Sequence, residues 1–503
     1  MRKISCFIFS IVITCLIGCS ASRQAFDPQH KYTKKELQQD YRVFRGVLEE
    51  SHPSLYWFTP KDSMDHYFED GYRRLNDSMT ETEFRNILQF VVSKIHCGHT
   101  AVKYSKQYNK YLDTANIKMF PLSFKVWGDS MAITGNINRK DSVLKFGTLV
   151  TAIDGHPVHQ LTDTFMNYIS GDGNSITGKY QSLSNSGAFG GLYRNVYGLK
   201  DQFTISYLDS AGEEKTVSIP VFDPALKDTT NRAVRPGPGK PAKESPRNLL
   251  PIMARYVQID TTLSSAYMTV HTFARGNKLR PFFRQAFREL KRRNIQHLVV
   301  DVRTNGGGDA GISTLLTRYL ANKKFKLADS LYAVRRSSKY HKYISWQPFY
   351  WSLMQFVTHK KKDGLYHFGY FERHYFHPIK QHHFDGDIYL ITGGNSFSAT
   401  TLFVKVLQGQ QNVKIIGEET GGGAYGNSAW MIPDVTLPNT KVRFRLPKFR
   451  LVMDKDLVKD GRGIMPDVPV APTRETIRRG IDPKAAVIRG MIIHKNKIGI
   501  AQQ

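Results

Sequence analysis

The sequence predicts a multidomain α/β protein, and three observations carry that reading. Apolar residues at helical spacing dominate 29–112, short alternating strands dominate 113–223, and from 248 to the C-terminus buried strands alternate with helices. With 503 residues, 41% hydrophobic content, 25 Tyr and 30 Phe, the chain has material for two or three cores and is not disordered.

The first element is an apolar run from Ile4 to Ile17 behind Arg2 and Lys3. It is shorter than the about twenty residues that span a bilayer, and it suits a cleaved signal over 1–18. Leu16-Ile17-Gly18-Cys19 resembles the lipobox of bacterial lipoproteins, which makes Cys19 the expected lipidated first residue and 19–28 a tether. Ser20-Ala21-Ser22 lacks an acidic run, so the expected location is a periplasm-facing membrane of the cell envelope. Cys6 and Cys15 leave with the signal, Cys97 alone remains unmodified, and no intrachain disulfide is expected.

In the helical N-terminal domain, 29–112, Thr33-Lys34-Lys35-Glu36 opens a helix with Leu37, Tyr41, Phe44 and Leu48 on one face. A second capping box, Thr80 to Glu83, precedes Phe84, Ile87, Leu88, Val91, Val92 and Ile95, and Gly98 fits the C′ stop. His99 then stands just past a helix C-terminus, whose dipole favours an imidazolium. A lone histidine there also suits a surface or capping role. Strands follow at Met119 to Val126, Ser130 to Gly135, Phe146 to Val158, Asp201 to Asp209 and Lys215 to Val221, with a Gly/Ser/Asn-rich insertion at 160–200. A basic Pro/Gly linker occupies 224–247, around Arg235-Pro236-Gly237-Pro238-Gly239-Lys240-Pro241.

The core, 248–503, contains a helix from Arg280 to Arg293 and an insertion at 333–384 rich in Tyr, Trp, Phe and His. The insertion reads as helical, a lid or substrate wall near the site. His374, His382 and His383 supply no tetrahedral set at ligand spacing, so neither metal nor cofactor is implied. The formal charge of +28 is dispersed, with clusters at Lys291-Arg292-Arg293 and Lys360-Lys361-Lys362. No nucleic-acid motif accompanies it, and attraction to anionic lipid or envelope glycan is the more economical partner.

Two strand ends carry chemistry. Leu298 to Val302 is a short apolar run leading into Arg303-Thr304-Asn305-Gly306-Gly307-Gly308, where glycines let backbone N–H groups face a pocket. Asp387 to Thr392 leads into Gly393-Gly394-Asn395-Ser396-Phe397-Ser398-Ala399-Thr400 and then a helix. A serine at a helix start is well placed as a nucleophile beside unpaired N–H donors, yet this segment alone favours plain N-capping.

Together the two segments resemble the S41 peptidases, which include the C-terminal processing proteases and the tricorn-type core. Asp301, Arg303, Asn305, Gly307 and Gly308 match the family's Asp-x-Arg-x-Asn-x-Gly-Gly, and Ser396-Phe397-Ser398-Ala399 matches its nucleophile motif. The resemblance extends to Gly417 through Gly422 and to Asp460 through Asp467. It implies a ClpP/crotonase-like α/β core cutting peptides or proteins, with Ser398 as nucleophile. Phe146 to Val158 resembles a stretch of PDZ domains, which bind peptide chain ends by strand addition. The alternative is an ordinary β module without ligand affinity.

The processing proteases' lysine base is absent, since Gly423 stands at its position, and Lys405, about 10 Å of helix rise from Ser398, does not replace it. The resemblance to the tricorn-like branch therefore implies His99 as the base, with Asp460 first and Glu419 second as the carboxylate that orients it. The Gly307 N–H, or Gly306 by a shift of register, and the Ala399 N–H are the expected oxyanion donors. Asp301 and Arg303 read as loop braces, and Cys97 as a remote rival nucleophile. The missing lysine, and Thr401 where relatives often carry Glu, leave open a non-cutting peptide binder. An apolar-ligand carrier of the same fold is the third reading.

Overall fold

A computed structural model describes residues 26–226, 254–345 and 347–501. Cys19 with its signal segment, and most of the 224–247 linker, lie outside the described residues.

The central sheet runs Val468–Pro469, Val413–Gly417, Asp387–Thr392, His297–Asp301, Ser265–Val270, Arg255–Asp260 in spatial order. Neighbours are parallel except at the Arg255–Asp260 edge. Both faces are covered, which is why these strands read as continuous apolar runs. On one face Leu298, Val300 and Leu390 share a core with the helices Leu279–Arg292, Ala310–Leu320 and Ala399–Leu407. On the other, Val299, Ile391 and Ile416 pack on Ile488 and Ile492 of the helix Pro483–Ala501. The strands His297–Asp301 and Asp387–Thr392 lie in register, with Asp301 opposite Ile391, so their outgoing loops emerge side by side. Ligands of open parallel sheets sit at such carboxyl ends.

Four helices, Lys34–Ser51, Lys61–Arg73, Glu81–Ser93 and Lys106–Thr114, build the N-terminal region, and both capping boxes form. The third helix stops at Ser93, and His96, with φ of 56°, takes the left-handed place expected at Gly98. The strand Val102–Lys103 then pairs with Arg443–Arg445, which pairs with Asp434–Thr436. Phe444, Val435 and Leu446 complete the helical core, and Phe444 meets Phe44 edge-on at 5.2 Å. Helices and C-terminal hairpin therefore share one interior.

Six antiparallel strands form the β module, in the order Leu122–Trp127, Ser130–Asn136, Leu149–Ile153, Gln202–Leu208, Glu214–Pro220, with His156–Pro157 beside Leu149–Ile153. The stretch 160–200, to which composition assigned no element, belongs to three helices, Val158–Met166, Ile176–Ser184 and Ala188–Tyr197. Their Leu161, Phe165, Leu183, Phe189 and Tyr193 fill the module core.

The 333–384 segment is a correction. It contains the helices Gln347–Val357 and Gly369–Arg373, but also the hairpin His359–Lys360 with Tyr366–His367, which extends a five-stranded antiparallel sheet. Aromatic residues suit strands as well as helices, and Asp363-Gly364, with Gly364 at φ 80°, supplies the turn.

Candidate active site

Ser398 precedes its helix with φ 59° and ψ −121°, a conformation that costs a non-glycine residue about 1–3 kcal/mol. Its hydroxyl makes no capping bond, so the N-cap reading fails. Instead Oγ lies 3.0 Å from His99 Nε2, across 299 positions of sequence. The turn is held by its neighbours. Ser396 Oγ donates to the Val302 carbonyl at 2.9 Å and accepts from the Gly393 N–H at 3.2 Å, and the Phe397 N–H donates to the Asn305 carbonyl at 3.2 Å.

Gly307 sits against this turn at φ 97°, where a Cβ would come within 2.8 Å of Ser398 Cβ and the Phe397 carbonyl oxygen. Its N–H, however, donates to Asn305 Oδ1 at 2.9 Å, so the structure corrects its assignment as an oxyanion donor. Asn305 Nδ2 is anchored on the Val270 carbonyl at 3.0 Å, which fixes the acceptor in place. The next amide is better placed. Gly308 lines the same cavity as Ser398 and Ala399, and neither the Gly308 nor the Ala399 N–H has an acceptor among the described residues.

His99 is 3% exposed and lies on the Phe397 ring at a centroid distance of 4.6 Å. Burial, helped by Arg445, pushes its pKa down to about 3, so the ring is neutral. The expectation that a helix end favours the imidazolium is thereby reversed. The helix ends at Ser93, a dipole term fades beyond the last turn, and full desolvation prevails. Nδ1 is buried with no partner among the described residues.

Neither expected carboxylate reaches that nitrogen. Glu419 accepts from Arg462 at 3.0 and 2.9 Å and from the Gly463 N–H at 2.7 Å. Asp460 Oδ1 accepts from the Arg462 N–H at 2.8 Å. Both assignments are corrected: Asp460 closes its own turn on an amide two residues on, whereas Glu419 is taken up by a guanidinium and an amide of a segment more than forty residues away. Asp301 and Arg303 brace the first loop, with Tyr267 donating to Asp301 at 2.7 Å and Arg303 reaching Asp482 at 2.7 Å. Cys97 is buried and its thiol is pushed up, which removes it as a rival nucleophile. Lys405 pairs with Asp454 at 3.2 Å. A side chain at Gly423 would meet the Gly426 carbonyl at 2.9 Å, so this loop has no room for a lysine.

Beside Ser398 opens a cavity of about 750 Å³. Leu327, Tyr350, Phe371, Leu402, Trp430 and Met431 give it an apolar wall, and Arg275 and Arg280 stand on its lining. Sequence reasoning placed a wall in 333–384 but missed Trp430 and Met431, which carry no motif. It also missed Asp172, whose Oδ1 accepts the Gly98 N–H at 2.7 Å. Its only sequence signal is an acid between two glycines, Gly171-Asp172-Gly173.

A family model described as peptidase family S41 matches residues 264–470, a span that holds both strand-end loops and Ser398 but not His99. No curated protein matches the chain. Among solved structures, the chain is similar to mature CPAF complexed with lactacystin, at 14% identity over 91% of this chain and 98% of that one, with a TM-score of 0.62. A second structure of mature CPAF is similar at 14% identity over 88% of this chain and 94% of that one, with a TM-score of 0.59. At such identities the likeness establishes the fold, and it extends well beyond the matched core. With the two strand-end loops meeting at one serine beside a cavity, the core, residues 264–470, matches peptidase family S41, and the chain is a serine-type peptidase.

Proposed function

We propose that this chain is an endopeptidase of the cell envelope, held to its membrane by lipid on Cys19 and cutting peptides or flexible protein segments. Ser398 is the nucleophile and His99 the general base. The observation that carries this reading is the 3.0 Å contact between Ser398 Oγ and His99 Nε2, made by a neutral ring able to accept a proton there.

In the acylation step Ser398 Oγ attacks the scissile carbonyl carbon while its proton passes to His99 Nε2. The carbonyl electron pair moves to oxygen, and the Gly308 and Ala399 N–H groups hold that oxyanion, about 3–4 kcal/mol for each donor. Collapse breaks the C–N bond, and His99 returns the proton to the leaving amine. Water, deprotonated by the same nitrogen, then attacks the Ser398 ester, and as its C–O bond breaks the proton passes from His99 to Ser398 Oγ and the acid leaves. The apolar wall favours a large apolar side chain next to the scissile bond. The β module, by its PDZ-like stretch, presents the chain end of the substrate.

A fluorophosphonate probe tests the reading. Wild type is expected to be labelled, and both Ser398→Ala and His99→Ala to lose the label. A folded wild-type protein that takes no label would overturn the proposal and leave a non-cutting peptide receptor.

A further inference from the structure

We infer that Asp172 is a positioning residue for His99: a carboxylate from the β module that fixes the backbone of the histidine loop and makes the Ser398–His99 geometry depend on how that module is seated. The inference rests on the Ser398–His99 reading above.

The loop from His96 to His99 lies between the helix ending at Ser93 and the strand starting at Val102, so regular structure does not hold it. Three hydrogen bonds to the module do. The Gly98 N–H donates to Asp172 Oδ1 at 2.7 Å, the Gly173 N–H donates to the His96 carbonyl at 2.9 Å, and His96 Nδ1 meets the Gly173 carbonyl at 2.8 Å. The module loop is in turn seated on the core. The Asn174 N–H donates to the Gly461 carbonyl at 2.8 Å, and Ser175 Oγ donates to the Thr420 carbonyl at 3.1 Å. Asp172 is therefore the centre of a wedge between the histidine loop and the core loops.

The wedge bears directly on the reacting pair. A Cβ on Gly98 would lie 2.7 Å from the Phe397 ring, and that ring carries the His99 imidazole. Releasing the Gly98 amide lets the backbone drift from Phe397 and takes the imidazole off the serine. A displacement of about 1 Å at a reacting group costs on the order of a hundredfold in rate.

Asp172 is 3% exposed, and its Oδ2 has no partner among the described residues. The charged and titratable groups facing it are the Arg450 guanidinium from the strand Phe449–Val452 and the Cys97 thiol of the histidine loop, with His96 on Gly173 and Lys179 against Gly171. Burial raises its pKa to about 6, against the pull of the Gly98 amide and Arg450. Arg450, pushed down to about 10, keeps its charge at neutral pH, and Cys97, pushed up, stays a thiol. The carboxylate is the stronger acceptor, so the clamp tightens above about pH 6 and slackens below it.

The test uses the full chain and a peptide that wild type cleaves, with kcat, KM and fluorophosphonate labelling rate followed from about pH 5 to 9. Asp172→Ala is expected to lower kcat and labelling by about 30- to 100-fold with KM within about twofold. Asp172→Asn keeps an acceptor for Gly98 without the charge. It is expected to recover to within about fivefold of wild type at neutral pH and to lose the acid limb near pH 6. A folded Asp172→Ala with wild-type kcat, or an Asp172→Asn that keeps the acid limb, would overturn the inference. Where Asp172→Ala does not fold, the Asp172→Asn profile decides. A wild type that takes no label instead defeats the Ser398–His99 reading. The clamp is then read from hydrogen exchange at the Gly98 amide, expected to be slow in wild type and faster in Asp172→Asn, and fast exchange in wild type would refute it.

Discussion

At the scale of the residue, Ser398 combines a reactive position with an unfavourable backbone. Its φ of 59° belongs to the region that a Cβ disfavours, and the cost is met by the bonds around Ser396 and by Gly307 packing beneath. Ser398→Ala keeps that Cβ, whereas Ser398→Gly removes it. Ser398→Gly is therefore expected to be more stable than Ser398→Ala by about 1 kcal/mol, read from denaturant unfolding, with neither variant active. Equal stabilities would show that the turn is unstrained. Residue identities of this kind were legible in the sequence, because Ser398 and Gly307 sit in ordered motifs. Directions were not. The Gly307 amide points at Asn305, and Glu419 turns onto Arg462, because dihedral angles set those vectors and residue types do not.

At the scale of the element, the His99 loop reaches the serine because the strand Val102–Lys103 is tied to the hairpin Asp434–Thr436 with Arg443–Arg445. Phe444 is the packing centre of that seam, fully buried among Phe44, Val102 and their neighbours. Phe444→Ala is expected to cost about 3–5 kcal/mol by leaving a cavity, and to weaken labelling at Ser398 although residue 444 touches no substrate. Loss of stability with labelling unchanged would show that the helical region is placed by other contacts. Helices with capping boxes were legible, since Thr33 with Glu36 and Thr80 with Glu83 write their starts locally. The seam was not, because its two strands are short and their pairing joins residues far apart in sequence. The Asp363-Gly364 turn was a readable signal that the aromatic composition around it obscured.

At the scale of the whole molecule, the junction between helical region and core encloses two neutral histidines. His52 and His99 are both pushed down to about 3 by burial, with His52 Nε2 held at 2.8 Å from Thr100 Oγ1. In the unfolded chain each titrates near the ordinary 6.5. Above pH 6.5 both states are neutral at these positions and the shift contributes nothing. As pH falls below 6.5 the unfolded state takes up protons that the folded state refuses, so stability is lost down to about pH 3. Asp172, raised from 3.8 to about 6, acts in the opposite sense between those two values, because there the folded state is the one that binds the proton. Among these three groups the two histidines outweigh the aspartate, and their joint contribution is a loss on acidification. His99→Gln removes one of the two protons, so between about pH 6 and 4 its unfolding free energy is expected to fall less steeply than that of wild type by about 1.4 kcal/mol per pH unit. Chemical denaturation across that range measures the difference directly. Parallel slopes would mean that His99 takes up its proton in the folded state, which is incompatible with a ring sealed between the two halves of the site.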